Sequence, residues 1–98
     1  MRAVSIERKV TMTRAEAEAI RSAAVKAGLR EGVSPPHEAV WFCFDAYDYM
    51  NGHCAYVAGR REDLGRLLDW AGAFILCHGA DAGSDFAGGV AALREALR

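Results

Sequence analysis

Three cysteines, three histidines and a short acidic run are the side chains of this sequence that could do chemistry. Two thiolates and an imidazole make a good zinc set, since soft sulfur and neutral nitrogen suit that ion. If residues 37–58 and 62–78 form an antiparallel helical hairpin with its corner near Arg60, Cys43 comes to lie opposite Cys77 and His78. Those three are the metal candidates, with His37, His53 and Cys54 further off. Against them, no cysteine pair has the CxxC spacing of strong zinc sites. Phe42, Phe44, Ile75 and Leu76 also flank Cys43 and Cys77 as they would inert core thiols. The sequence therefore predicts no resident metal or cofactor, and keeps Cys43, Cys77 and His78 as the set a small metal- or ligand-binding protein would use.

Catalysis finds less support. A nucleophilic thiol needs a base that faces it. His53-Cys54 and Cys77-His78 are sequence neighbours, which on a helix point about 100° apart. Asp45 and Asp48 could form a carboxylate pair, but acids one turn apart on a helix are ordinarily solvated. The Gly83…Gly88-Gly89 stretch lacks the GxGxxG pattern of a phosphate cradle. Arg60-Arg61 is neutralised by Glu62 and Asp63 beside it. No enzymatic activity is expected. What stands out is a surface: Trp41, Phe42, Asp45, Asp48 and Tyr49 set aromatics beside acids, and Trp and Tyr are the residues that dominate binding hot spots. These five are the predicted partner-binding residues.

The elements that must position them follow from periodicity. In the stretch 40–50, Val40, Cys43, Phe44, Tyr47 and Met50 fall at helical spacing. Ser34, Pro35 and Pro36 suit its start, and Asn51-Gly52 its end. As a strand, the same stretch would turn at Asn51-Gly52 and pair Tyr49 with Cys54 and Tyr47 with Tyr56. Each strand face would then carry an acid, which favours the helix. Trp41 and Phe42 would project from that helix away from the core, where a second chain or a partner would cover them.

Val4, Ile6, Val10 and Met12 alternate as in a strand, so residues 1–12 read as an extended arm or edge strand, with 3–12 its possible paired part. Thr13-Arg14-Ala15-Glu16 is a capping box, opening a helix over 14–28 that Gly28 closes. Leu64, Leu67, Leu68, Ala71, Phe74 and Ile75 make the clearest amphipathic period, a helix over 62–78 in which Gly65 and Gly72 are expected to permit close packing. Ser84 caps a last helix over 85–98 with Phe86, Val90, Leu93 and Leu97 on one face. The expected fold is mainly α: one domain, residues 1–98, a compact bundle of about four helices (14–28, 36–51, 62–78 and 85–98) with a short N-terminal β segment. The alternative is α+β, with a small antiparallel sheet built from residues 3–12, 40–50 and 53–58.

The totals narrow the class. A chain of 98 residues with a net charge of -1 lacks the basic footprint of a nucleic-acid binder. It has no apolar run long enough to span a membrane. Its charged beginning is unlike a signal peptide, so a cytoplasmic location is expected. Abundant Ala, Gly and Arg with little Lys fit a GC-rich bacterial or phage genome. In build alone, short and without catalytic motifs, the chain is similar to small phage inhibitors of host defence such as anti-CRISPR proteins, a likeness that no motif carries. The function expected is a protein-binding module, acting as a homodimer or by blocking a larger protein, with neither nucleic acid nor membrane as partner.

Overall fold

The structure is a computed structural model. It describes residues 6–31, 36–50 and 52–98, excepting the side chains of residues 29–31, 36, 37 and 48. The order of elements is β1 (Arg8–Met12), α1 (Arg14–Glu31), β2 (Trp41–Asp48), β3 (Gly52–Gly59), α2 (Arg61–His78) and α3 (Ser84–Ala96), with short 3-10 turns at Pro36–Ala39 and Gly79–Ala82. The strands form one antiparallel sheet in the order β1-β3-β2. The fold is α+β. This corrects the four-helix expectation and agrees with the α+β alternative.

The stretch assigned to a helix over 36–51 is a 3-10 turn followed by strand β2. Its acids misled the face count. The ladder with β3 is shifted between Cys43 and Ala46, so the register is broken where Asp45 falls. A β-bulge moves one residue out of strict alternation. Asp45 can then turn to solvent without placing a carboxylate on the packed face. The pairing also differs from a two-residue hairpin: Tyr47 opposes His53 and Asp48 opposes Gly52, while Cys43 opposes Tyr56. Gly52 adopts φ 71°, the left-handed conformation that leads out of the turn.

β1 pairs along its whole length with β3, from Arg8↔Gly59 to Met12↔Ala55. The pairing partner that the alternating segment required is thus within the same chain, and the arm is paired over 8–12. Residues 1–5 lie outside the described residues, as do Ser34 and Pro35, the expected cap of the 36–51 helix.

The capping box forms as its sequence dictates. The Glu16 amide donates to Thr13 Oγ1 at 3.1 Å, and the Thr13 amide donates to Glu16 Oε1 at 2.9 Å. The helix it opens does not stop at Gly28 but runs to Glu31. Glycine permits a stop without enforcing one. Ser84 lies inside α3 rather than before it, and Gly83 takes the cap position without a side-chain bond.

All three helices share one core with the sheet. Val10 and Met12 of β1, Ala55 and Val57 of β3, Ala17 and Ile20 of α1, Leu64, Leu67 and Ala71 of α2, and Phe86, Val90 and Leu93 of α3 form a single buried cluster. Gly88 and Gly89 set the closest approach. A Cβ on Gly89 would lie 2.5 Å from Ile20 Cδ1, and one on Gly88 would meet the Glu16 carboxylate. The pair that fails as a phosphate cradle is where α3 crosses α1. Gly65 and Gly72 play no such role, since a Cβ at either meets nothing within 4 Å. Among the described residues, no helix is long and apolar enough to cross a membrane.

Candidate functional site: the hairpin and the open face of the sheet

Successive side chains of a strand point to opposite faces, and this alternation splits the predicted site. Phe42 shares a row with Val57 and Val10 on the helix-covered face. It is half-buried and stacks with Phe44, ring centroids 6.2 Å apart. Trp41 shares a row with Ala58 and Lys9 on the other face. The next row there is Cys43, Tyr56 and Thr11, followed past the bulge by Ala46 and Cys54. Lys9, Thr11 and Trp41 are exposed, while Cys43, Tyr56 and Cys54 are half-buried. Ala58 on this face is fully buried, but among the described residues no helix lies over it.

Polar interactions tie the open face together. Lys9 Nζ sits 4.9 Å from the Tyr56 ring centroid, within cation–π range. The Tyr56 phenol is raised above its ordinary pKa, first by hydrogen bonding to the Cys43 sulfur, then by desolvation and the neighbouring Cys43 and Cys54 thiols.

The β2–β3 hairpin exposes large side chains along its length and in its turn. Trp41 is 54% exposed, Tyr47 71%, Tyr49 90% and Met50 83%. Beside them Asp45 Oδ1 lies 3.7 Å from His53 Nδ1, both side chains in solvent, and His53 takes the edge of the Tyr47 ring at 5.6 Å. Trp41, Asp45 and Tyr49 of the predicted site are thus brought to one hairpin. Phe42 is turned away, and the Asp48 side chain lies outside the described residues. Sequence reasoning assigned Tyr47 and Met50 to the core face of a helix. Instead Tyr47 lies near the end of strand β2 and Met50 in the turn that follows it.

The metal candidates separate. Cys43 belongs to the middle of the open face beside Tyr56. Cys77 and His78 are exposed at the end of α2, where His78 stacks on Phe74 at 4.1 Å. The helical hairpin that would have opposed them does not form. Among the described residues, no three His, Cys, Asp or Glu side chains converge as metal ligands.

No protein-family model, characterised protein or solved structure matches this chain.

One buried polar group belongs to the scaffold. Asp63, 3% exposed in the first turn of α2, accepts from Arg60 Nε at 2.7 Å and is also bonded by Arg66. These guanidinium bonds, that of Arg60 foremost, hold its carboxyl below the usual range against the opposing effect of desolvation. Arg8 and Arg61 reach the carbonyls of Ala96 and Leu97, at 3.2 and 3.3 Å. These bonds satisfy acceptors at the negative end of α3.

Proposed function

We propose that this protein is a non-enzymatic, cytoplasmic protein-binding module. Its contact element is the β2–β3 hairpin, and the partner seated there is a second copy of the chain. The observation that carries this is that one hairpin exposes four large side chains along its length, Trp41 on the open sheet face, Tyr47 on the opposite face near the turn, and Tyr49 and Met50 in the turn itself. Small domains seldom leave so many large side chains in water on one element without a use for them. Tyr and Trp lose little conformational freedom on docking, and one such anchor can contribute 2 kcal/mol or more to a contact.

The strand β2 is an edge of the sheet. Its outer hydrogen-bonding groups can add a strand from another chain. The bulge at Asp45 limits how far such pairing can run. A larger protein with a basic groove is the second reading, favoured by the exposed Asp45 carboxylate among the aromatics. In that case the module would act by blocking its partner.

Light scattering after size exclusion, in reducing buffer, tests the proposal on the intact protein, Trp41→Ala and Tyr49→Ala. The expected result is a dimer for the intact chain and folded monomers for the variants. An intact chain that is monomeric at high concentration overturns self-association. If Trp41→Ala and Tyr49→Ala also leave partner capture from the host unchanged, the hairpin is not the contact element.

A further inference from the structure

Away from the hairpin, α1 and α2 do not close on one another. Between them lies an open cleft of about 410 Å³. One wall is α1, which shows it only small or polar side chains, Ala19, Ala23, Ser22 and Lys26. The other wall is aromatic. Trp70 and Phe74 of α2 lie 5.4 Å apart, and Phe86 of α3 closes the floor 4.8 Å from Phe74. His78 continues the stack on Phe74 at the mouth. Alanines opposite large rings would normally let two helices approach closely. Here the space stays open, and its size is that of a small-molecule site.

The rim is polar in a particular way. Lys26 and Ser22 stand one helical turn apart on the α1 side. Asp81 stands on the other side, in the 3-10 turn just past the end of α2, the negative end of that helix's dipole. Among the described residues, neither Lys26 nor Asp81 takes part in an ion pair. The cleft thus offers an aromatic shelf with a cation and a hydroxyl at one lip and a carboxylate at the other.

We infer that this cleft binds a small aromatic zwitterion, the class of the free aromatic α-amino acids. The ligand's ring stacks on Trp70 and Phe74, its carboxylate is held by Lys26 and Ser22, and its ammonium faces Asp81 and the carbonyl end of α2. A purely cationic aromatic would meet Lys26 unpaired, and a purely anionic one would meet Asp81. Only a ligand with both charges answers both lips. The site is separate from the hairpin and does not depend on it.

The test is calorimetric titration of the intact protein with L-phenylalanine, and with phenethylamine and 3-phenylpropionate as analogues that each lack one charge. Saturable binding of L-phenylalanine is expected, with each analogue weaker by about tenfold or more, the usual effect of losing one charge-assisted hydrogen bond. Lys26→Ala should weaken L-phenylalanine by a similar factor while leaving phenethylamine unchanged. Asp81→Asn should do the converse with 3-phenylpropionate unchanged. Ala23→Leu, which fills the cleft from α1, should abolish binding while circular dichroism shows the fold intact. Trp41→Ala, on the hairpin, should have no effect. No saturable binding to the intact protein overturns the inference. So do equal affinities for the three probes, or unaltered binding in Ala23→Leu.

Discussion

At the scale of single residues, Asp63 is the side chain whose loss the structure makes most costly. It is buried, yet two guanidinium groups satisfy it. Removing its charge leaves Arg60 and Arg66 without their acceptor and loses charge-assisted hydrogen bonds, about 1–3 kcal/mol in all. Both arginines are partly exposed, and solvent screening keeps the figure from rising further. The pH dependence has a definite sign. The folded-state pKa of Asp63 is lowered, so its contribution is complete above the unfolded carboxylate value of about 4 and is lost as pH falls through the lower folded value. Urea unfolding of the intact protein and of Asp63→Asn, from pH 7 down to pH 2, should show a gap that is constant near neutrality and closes in acid. A gap that persists unchanged at pH 2 would mean that the carboxylate charge is not what holds Arg60 and Arg66.

Glycine placement separates packing from propensity at the scale of elements. Gly89→Ala drives a methyl into Ile20 at the α1–α3 crossing, and overpacking of this kind costs roughly 1–3 kcal/mol. The gain in helix propensity, about 1 kcal/mol, offsets only part of it. Gly65→Ala and Gly72→Ala meet nothing, so each should instead stabilise α2 by about 0.5–1 kcal/mol. For a domain of this size 1 kcal/mol moves the melting temperature by roughly 4–8 °C. Melting curves should therefore shift down for Gly89→Ala and up for the α2 pair. Upward shifts for all three would mean that α1 and α3 do not meet closely at Gly89.

The same elements show how far the sequence could be read. The capping box and the period of Leu64, Leu67 and Ala71 were legible because both are local: their partners lie three or four residues away. β2 was not, because its alternation is interrupted at Asp45 by a bulge that only the pairing with β3 creates. β1 looked like a strand, but nothing near it in sequence could show that it pairs with β3, more than 40 residues on. The site was half legible for the same reason. Trp41 and Tyr49 stood out by residue type, while Phe42 was misplaced because only a strand turns it away from Trp41.

At the scale of the molecule, the protein is a sheet with one face under helices and, among the described residues, no helix over the other, and its two edges are treated differently. The β1 edge is five residues long and begins with Arg8 and Lys9, charges that discourage a neighbouring strand. The β2 edge is eight residues long and carries Trp41 at one end and Tyr47 at the other. A contact through β2 uses the same surface on both chains, so it closes as a two-fold dimer and leaves only the charged β1 edges outward. Assembly and stability are then linked, because the dimer gains folded-state contacts that the unfolded chains lack. Each tenfold rise in concentration favours the dimer by about 1.4 kcal/mol, shared between two chains, which raises the melting temperature by roughly 3–6 °C. Scanning calorimetry over two decades of concentration should show that slope for the intact protein and a flat line for Trp41→Ala. An intact protein with a flat line would rule out the self-contact, and the bare face and hairpin would then have to be matched to a different chain. A slope that survives in Trp41→Ala would place the dimer seam on another surface, with the exposed Leu76 on α2 the first to be substituted.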